Sequence, residues 1–169
     1  WHASDTARVK TPRQLMDLYY RSVGRGGSLL LNVPPDRRGL IDERDVASLA
    51  AFGKIVRETF GENLAASAKT IHRTRDGIRE IEMTMPREIS FNVVRLREKI
   101  ELGQRIDAVE LDRWANGGWE KFAQATSIGA CRLIRLDRAI AAARVRLRIT
   151  QAAASPEISE FGLFLEAQG

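Results

Sequence analysis

Asn32 closes the apolar run Leu29-Leu30-Leu31 and opens the polar stretch Val33-Pro34-Pro35-Asp36-Arg37-Arg38-Gly39. An amide at the end of a strand can hydrogen-bond a ligand, or it can bond backbone groups beside the two prolines and fix the loop. Asp36 lies in the same loop and invites an acid–base role, but Asp followed by two arginines and Gly39 is also good turn chemistry, and that reading is the stronger one. His72 has no second histidine at ligand spacing and reads as a surface residue. Cys131, the only cysteine, excludes a disulfide within the chain and a cysteine-rich zinc site, and reads as a small buried hydrophobe.

These side chains need elements to hold them. The run Ser28–Val33 suits a parallel β-strand covered on both faces, with Asn32 at its end. A helix precedes it. Thr11-Pro12-Arg13-Gln14 combines a capping box with proline at the first helical position, Leu15, Met16, Leu18, Tyr19 and Val23 recur at helical spacing, and Gly24, Gly26 and Gly27 end the pattern. A second helix follows from Asp42, with Glu43 and Asp45 complementing its dipole, a predicted buried face of Val46, Leu49, Phe52, Val56 and Phe60, and Gly61 as its stop. Strand between helices makes one β/α unit, and in barrels of such units the chemistry sits at the strand ends.

From about residue 67 the helical spacing gives way to short strands: 78–84, 89–96, 106–114, 119–124, 130–136, 144–150 and 157–165. Asn116-Gly117-Gly118 between two apolar runs predicts a tight hairpin joining Trp114 to Trp119. Seven such strands suit an antiparallel β-sandwich of the galactose-binding, discoidin-like kind. The boundary between the halves is expected within Glu62–Lys69, giving regions 1–66 and 67–169.

A chain of 169 residues with 44% hydrophobic content can build one or two cores. No run of about 18 apolar residues is present, so no helical membrane span is predicted. The net charge of +5 raises nucleic acid as a partner, but the cations are spread over both halves. The densest group, Arg144, Arg146 and Arg148, alternates with Val145, Leu147 and Ile149 as on a strand with one solvated face. No helix-turn-helix, zinc finger or aromatic RNA-binding signature accompanies it, and nucleic acid is not expected as a partner.

The Val-Lys-Thr-Pro helix start, the Leu-Leu-Leu-Asn-Val-Pro-Pro-Asp-Arg-Arg-Gly turn and the closing Thr-Phe-Gly-Glu-Asn-Leu resemble the end of the catalytic barrel in bacterial α-L-fucosidases of glycoside hydrolase family twenty-nine. Phe91-Asn92-Val93-Val94-Arg95-Leu96-Arg97-Glu98, the Gly103-Gln104-Arg105 turn and Ser155-Pro156-Glu157-Ile158-Ser159-Glu160-Phe161-Gly162-Leu163 resemble the β-sandwich that follows. The fold class implied is the last β/α unit of a (β/α)8-type barrel followed by an antiparallel β-sandwich.

The resemblance implies a retaining glycosidase that releases terminal α-L-fucose from glycoconjugates without metal or organic cofactor, with a fucosylated glycan as substrate and no membrane partner. Such a mechanism needs two carboxyl groups roughly 5 Å apart. In the family both stand on earlier barrel strands, so none is assigned here, and this chain alone is expected to be inactive. Trp1 and His2 match the aromatic-rich stretch that closes the fucose pocket, and with Asn32 they are the candidate substrate-binding residues. Family members are often periplasmic or secreted. The stretch between the barrel end and the strand entering Phe91 is shorter here than in relatives, leaving only Ala68–Gly77 and implying either a trimmed sandwich or an internal deletion, with a bare sheet edge. The alternative is a free-standing carbohydrate-binding sandwich, with Trp114 and Trp119 stacking on sugar rings.

Overall fold

Thr11 and Gln14 exchange hydrogen bonds at the start of the first helix. The Thr11 hydroxyl accepts the Gln14 amide at 3.2 Å and the Gln14 side-chain oxygen accepts the Thr11 amide at 2.9 Å. In the computed structural model, which describes residues 8–167, this box starts helix α1 (Pro12–Arg21). The helix ends just before the predicted glycines, where the Ser22 hydroxyl donates to the Leu18 carbonyl at 2.6 Å. A short 3-10 turn, Val23–Arg25, follows and closes on Gly26 at φ 82°. Gly24 serves close approach rather than helix termination, since a Cβ there would lie 3.1 Å from Cβ of Leu133.

Helix α2 (Glu43–Phe60) begins where Asp42 accepts the Arg44 amide at 3.0 Å. Its predicted buried face is only partly covered. Val46 is 50% exposed, Leu49, Phe52, Val56 and Phe60 are half-buried, and Thr59 is the helix's buried residue. The covered end is aromatic: Phe60 stacks against Tyr19, Tyr20 and Phe164 with centroids 5.8, 6.5 and 5.3 Å away. With Val93, Cys131 and Leu133 these rings form a second, smaller core between helices and sheet. Cys131 is buried there as expected, and burial pushes its thiol above its ordinary pKa.

Residues 28–33 depart from expectation. They pair with no strand among the described residues, and only one side is covered. Leu29, Leu31 and Val33 are half-buried, whereas Ser28, Leu30 and Asn32 are exposed. A strand exists as a ladder only when a neighbour supplies the partner groups.

The rest of the chain forms one antiparallel sheet of six strands, β1 (Lys69–Arg75), β2 (Ile78–Glu98), β3 (Ile106–Ala115), β4 (Gly118–Ala125), β5 (Arg132–Ala152) and β6 (Ile158–Phe164). The order is β1-β2-β5-β3-β4, with β6 added against the second half of β2. The predicted segments 78–84 and 89–96 are one bent strand, as are 130–136 and 144–150. Pairing shifts register between Thr84 and Ile89, across Pro86, whose missing N–H breaks the ladder. The separate sheets of the expected sandwich are therefore hydrogen-bonded halves of one sheet. Their shared core draws Ile81 and Met83 from one half of β2 and Val94 and Leu96 from the other, with Leu111, Leu147 and Leu163.

The segment Ala68–Gly77 is not a remnant linker. It contains β1, which pairs with β2 through a turn at Asp76 (φ 51°) and Gly77 (φ 78°). Asn116 (φ 53°) and Gly117 (φ 79°) make the equivalent turn between β3 and β4, as predicted. The expected boundary region is stitched into the sheet. Asn63 accepts the amides of Ala65 and Leu163 at 3.0 Å each, and Ala65 is buried in the main core.

Candidate functional site

The backbone that carries Asn32 is placed by α1 and α2. Leu29 and Leu31 line a cavity of about 440 Å³ with Tyr19, Val23, Phe52 and Val56, so the apolar helix faces hold one side of the segment. On the opposite side Leu30 and Asn32 are exposed among the described residues, Leu30 by 95%. Among the described residues Asn32 does not make the loop-fixing hydrogen bond considered for it. The loop is fixed by Asp36.

The Asp36 carboxylate accepts the Arg38 amide at 2.7 Å, the Arg38 Nε at 2.8 Å and the Leu40 amide at 3.3 Å. Its own amide donates to the Leu40 carbonyl at 2.8 Å, and Gly39 at φ 77° completes the turn. The Arg38 side-chain bond, reinforced by the two backbone bonds, holds the carboxyl below its ordinary pKa. That is the chemistry of a turn, and every strong acceptor direction of Asp36 is already used. Trp1 and His2 lie outside the described residues. His72 is exposed, on β1.

A polar hub that the sequence reading did not identify joins α1 to the sheet. Arg135 of β5 donates to Asp17 of α1 at 3.0 Å and to Glu166 at 2.8 Å, and lies 5.0 Å from the Tyr20 ring centroid. The Tyr20 hydroxyl donates to Glu166 at 2.6 Å, and Asn92 and the Glu166 backbone exchange bonds at 2.9 and 2.7 Å. Burial and the bond to Glu166 push the Tyr20 phenol far above its ordinary pKa. Asp17, Asn92, Arg135 and Glu166 of the hub line a groove of about 1100 Å³ between the helices and β5. Its members are far apart in sequence, so no local pattern marks them.

The outer face of the sheet carries the arginine stripe. Asp112, 2% exposed, accepts Arg146 at 3.0 and 2.8 Å and Arg148 at 2.7 and 3.2 Å. Burial pushes that carboxyl up, but the guanidinium bonds prevail and hold it below its ordinary range. Arg146 also reaches Glu80 at 3.3 Å, Arg144 reaches Glu82 at 2.6 Å, and Arg148 pairs with Glu110. The expected solvated arginines are thus a cross-strand ion network.

Trp114 and Trp119 pack edge to face at 5.4 Å, with Arg144 4.7 Å from one centroid and Arg146 4.5 Å from the other. Their faces are engaged by guanidinium groups, which weakens their case as an open platform for a sugar. Among the described residues no group of three or more His, Cys, Asp or Glu could hold a metal.

The family described as Alpha-L-fucosidase matches residues 1–61, the part that carries Asn32 and the Asp36 turn. Two curated plant relatives carry the names alpha-L-fucosidase 1 and putative alpha-L-fucosidase 1. Alpha-L-fucosidase 1 of Arabidopsis thaliana is 32% identical over 98% of this chain, which spans 38% of the plant protein. A solved glycoside hydrolase 29 family member from an unknown rumen bacterium superposes with a TM-score of 0.91 at 31% identity, over 99% of this chain and 31% of that one. The fucosidase of Ruminococcus gnavus in complex with fucose gives 0.84 at 28% identity, over 94% and 37%. The likeness to α-L-fucosidases is therefore not confined to bacteria. It runs through helices and sheet alike, and the chain spans less than two-fifths of the curated relatives.

Proposed function

We propose that this chain is the C-terminal part of a retaining α-L-fucosidase, in which residues 1–66 complete a catalytic (β/α) barrel and residues 67–169 form a discoidin-like β-sandwich that braces it. The observation that carries this reading is the one-sided segment Leu29–Val33. Leu29 and Leu31 are half-buried and share a cavity with residues of α1 and α2, while Leu30 stands 95% exposed on the other side, as a barrel strand does when its neighbours and the layers filling the interior are removed.

In a closed barrel Asn32 sits at the C-terminal mouth and donates its amide to a fucose hydroxyl. Trp1 offers an apolar face to the sugar and His2 a further hydrogen bond. The hub of Arg135, Glu166 and Tyr20 anchors α1 on the sheet and so sets where the strand ends. The nucleophilic and acid–base carboxyl groups of a retaining mechanism are assigned to the portion of the relatives that this chain does not span. Asp36 is left to its turn.

The test is hydrolysis of an aryl α-L-fucoside. The 169-residue chain is expected to give no turnover above background, and the coding sequence upstream of Trp1 is expected to encode a barrel with two suitably placed carboxylates. Turnover by the chain alone would overturn the assignment of the carboxyl groups. An upstream coding sequence that encodes no such barrel would overturn the fucosidase reading itself.

A further inference from the structure

The ion network on the outer face of the sheet pairs Glu80, Glu82, Glu110 and Asp112 with Arg144, Arg146 and Arg148, and the cations of β1 lie outside it. Register places Arg73 opposite Glu80 and Ile71 opposite Glu82, so the residues of β1 at odd positions share a face with the network. Both glutamates turn away from β1, Glu80 to Arg146 and Glu82 to Arg144. Lys69, Arg73 and Arg75 are left on the sheet edge with no ion pair among the described residues, and the whole of β1 is exposed. At about 3.4 Å per residue these three cations span roughly 20 Å in a straight line.

We propose that this edge of β1 is a binding site for an anionic, sulfated or uronic-acid-bearing glycan chain. A row of cations on an extended strand is complementary to a linear polyanion, and of the nearby carboxylates Glu80 and Glu82 are paired within the network while Asp76 stands in the turn beside Arg75. Nucleic acid fits less well. From residue 69 to residue 84 the β1–β2 hairpin carries no Phe, Tyr or Trp on which a base could stack, and His72 belongs to the opposite face by alternation. The choice of a glycan over other polyanions rests on the fucosidase reading, but the site requires no turnover by this chain. Turnover by the chain, which would overturn that reading's assignment of the carboxyl groups, and absence of edge binding are separate failures.

The full chain is titrated with heparin, dextran and a DNA duplex of matched charge, at salt from about 0.05 to 0.3 M. Saturable heparin binding that weakens with salt, no dextran binding and weaker DNA binding are expected. The combined variant Lys69→Gln, Arg73→Gln, Arg75→Gln should lose about tenfold or more in heparin affinity, and Arg73→Lys with Arg75→Lys should retain most of it. Charged edge residues also deter strand-to-strand aggregation, and if that is their whole role, heparin will not bind saturably. That result, unchanged heparin affinity in the neutral variant with an unaltered melting temperature, or DNA binding as tight as heparin would each overturn the proposal.

Discussion

Phe91 and Leu30 are both large apolar side chains, yet Phe91 is 0% exposed within the sheet and Leu30 is 95% exposed beside the helices. The contrast extends to their surroundings. In the sheet, β2 and β5 bend so that their two halves share one core, and the polar outer face neutralises itself through Asp112, Arg146 and Arg148. In the helical region, Leu40, Ile41 and Val46 are 59, 48 and 50% exposed, and residues 28–33 have no ladder partner among the described residues. One region satisfies its own sequence pattern, and the other presents a pattern whose complement lies outside the described residues. An exposed apolar surface of this kind marks an interface rather than a finished fold.

Truncation at the buried ring tests that difference most severely. Phe91→Ala should lower stability by about 4 kcal/mol in chemical denaturation, from lost burial plus the cavity left behind. Loss of less than about 1 kcal/mol would mean the sheet core is not the cooperative unit. Asp112→Asn should cost about 3 kcal/mol, because two guanidinium groups lose their shared charge partner in a buried setting.

The same carboxylate predicts a pH dependence. Its folded pKa lies below the unfolded value, so its contribution is present above about pH 4 and lost as pH falls through the folded pKa. Unfolding followed from pH 7 to 2 should therefore show a destabilisation on acidification that is smaller in Asp112→Asn, and equal profiles would remove Asp112 as its source.

Arg135→Gln should cost less, about 1 to 2 kcal/mol, by loosening α1 from the sheet. Hydrogen exchange should rise in Pro12–Arg21 while β3 and β4 stay protected. Uniform loss of protection would mean that helices and sheet are one unit. The smallest effect belongs to Leu30→Asn, which should change stability by under about 0.5 kcal/mol while reducing self-association. A large loss there would show that Leu30 is covered in solution and would break the contrast.

Local chemistry carried much of this fold into the sequence. The Thr11–Gln14 box, the Asp42 cap, the Asn116-Gly117 turn and the Asp36 turn all stand where residue types placed them, because each is closed by groups a few positions apart. The strand β1 was missed although Asp76-Gly77 is the same hairpin signal. Its residues are exposed throughout, so no apolar alternation pointed to a strand. The merging of four predicted segments into β2 and β5 was also hidden, since only pairing partners reveal a bulge. At the candidate site the sequence marked Asn32 and the turn. It could not mark Arg135, Glu166 or Tyr20, whose meeting crosses 146 positions between Tyr20 and Glu166.

Where helices begin, where hairpins turn and which loop Asp36 closes were decided by the sequence itself, since capping and turn bonds span only a few residues. Which cations are neutralised, and which on β1 have no ion pair among the described residues, was decided by strand register. Which side of Leu29–Val33 is bare was decided by the packing of α1 and α2. Charge pairing and burial depend on neighbours that only the tertiary structure brings within a few ångströms.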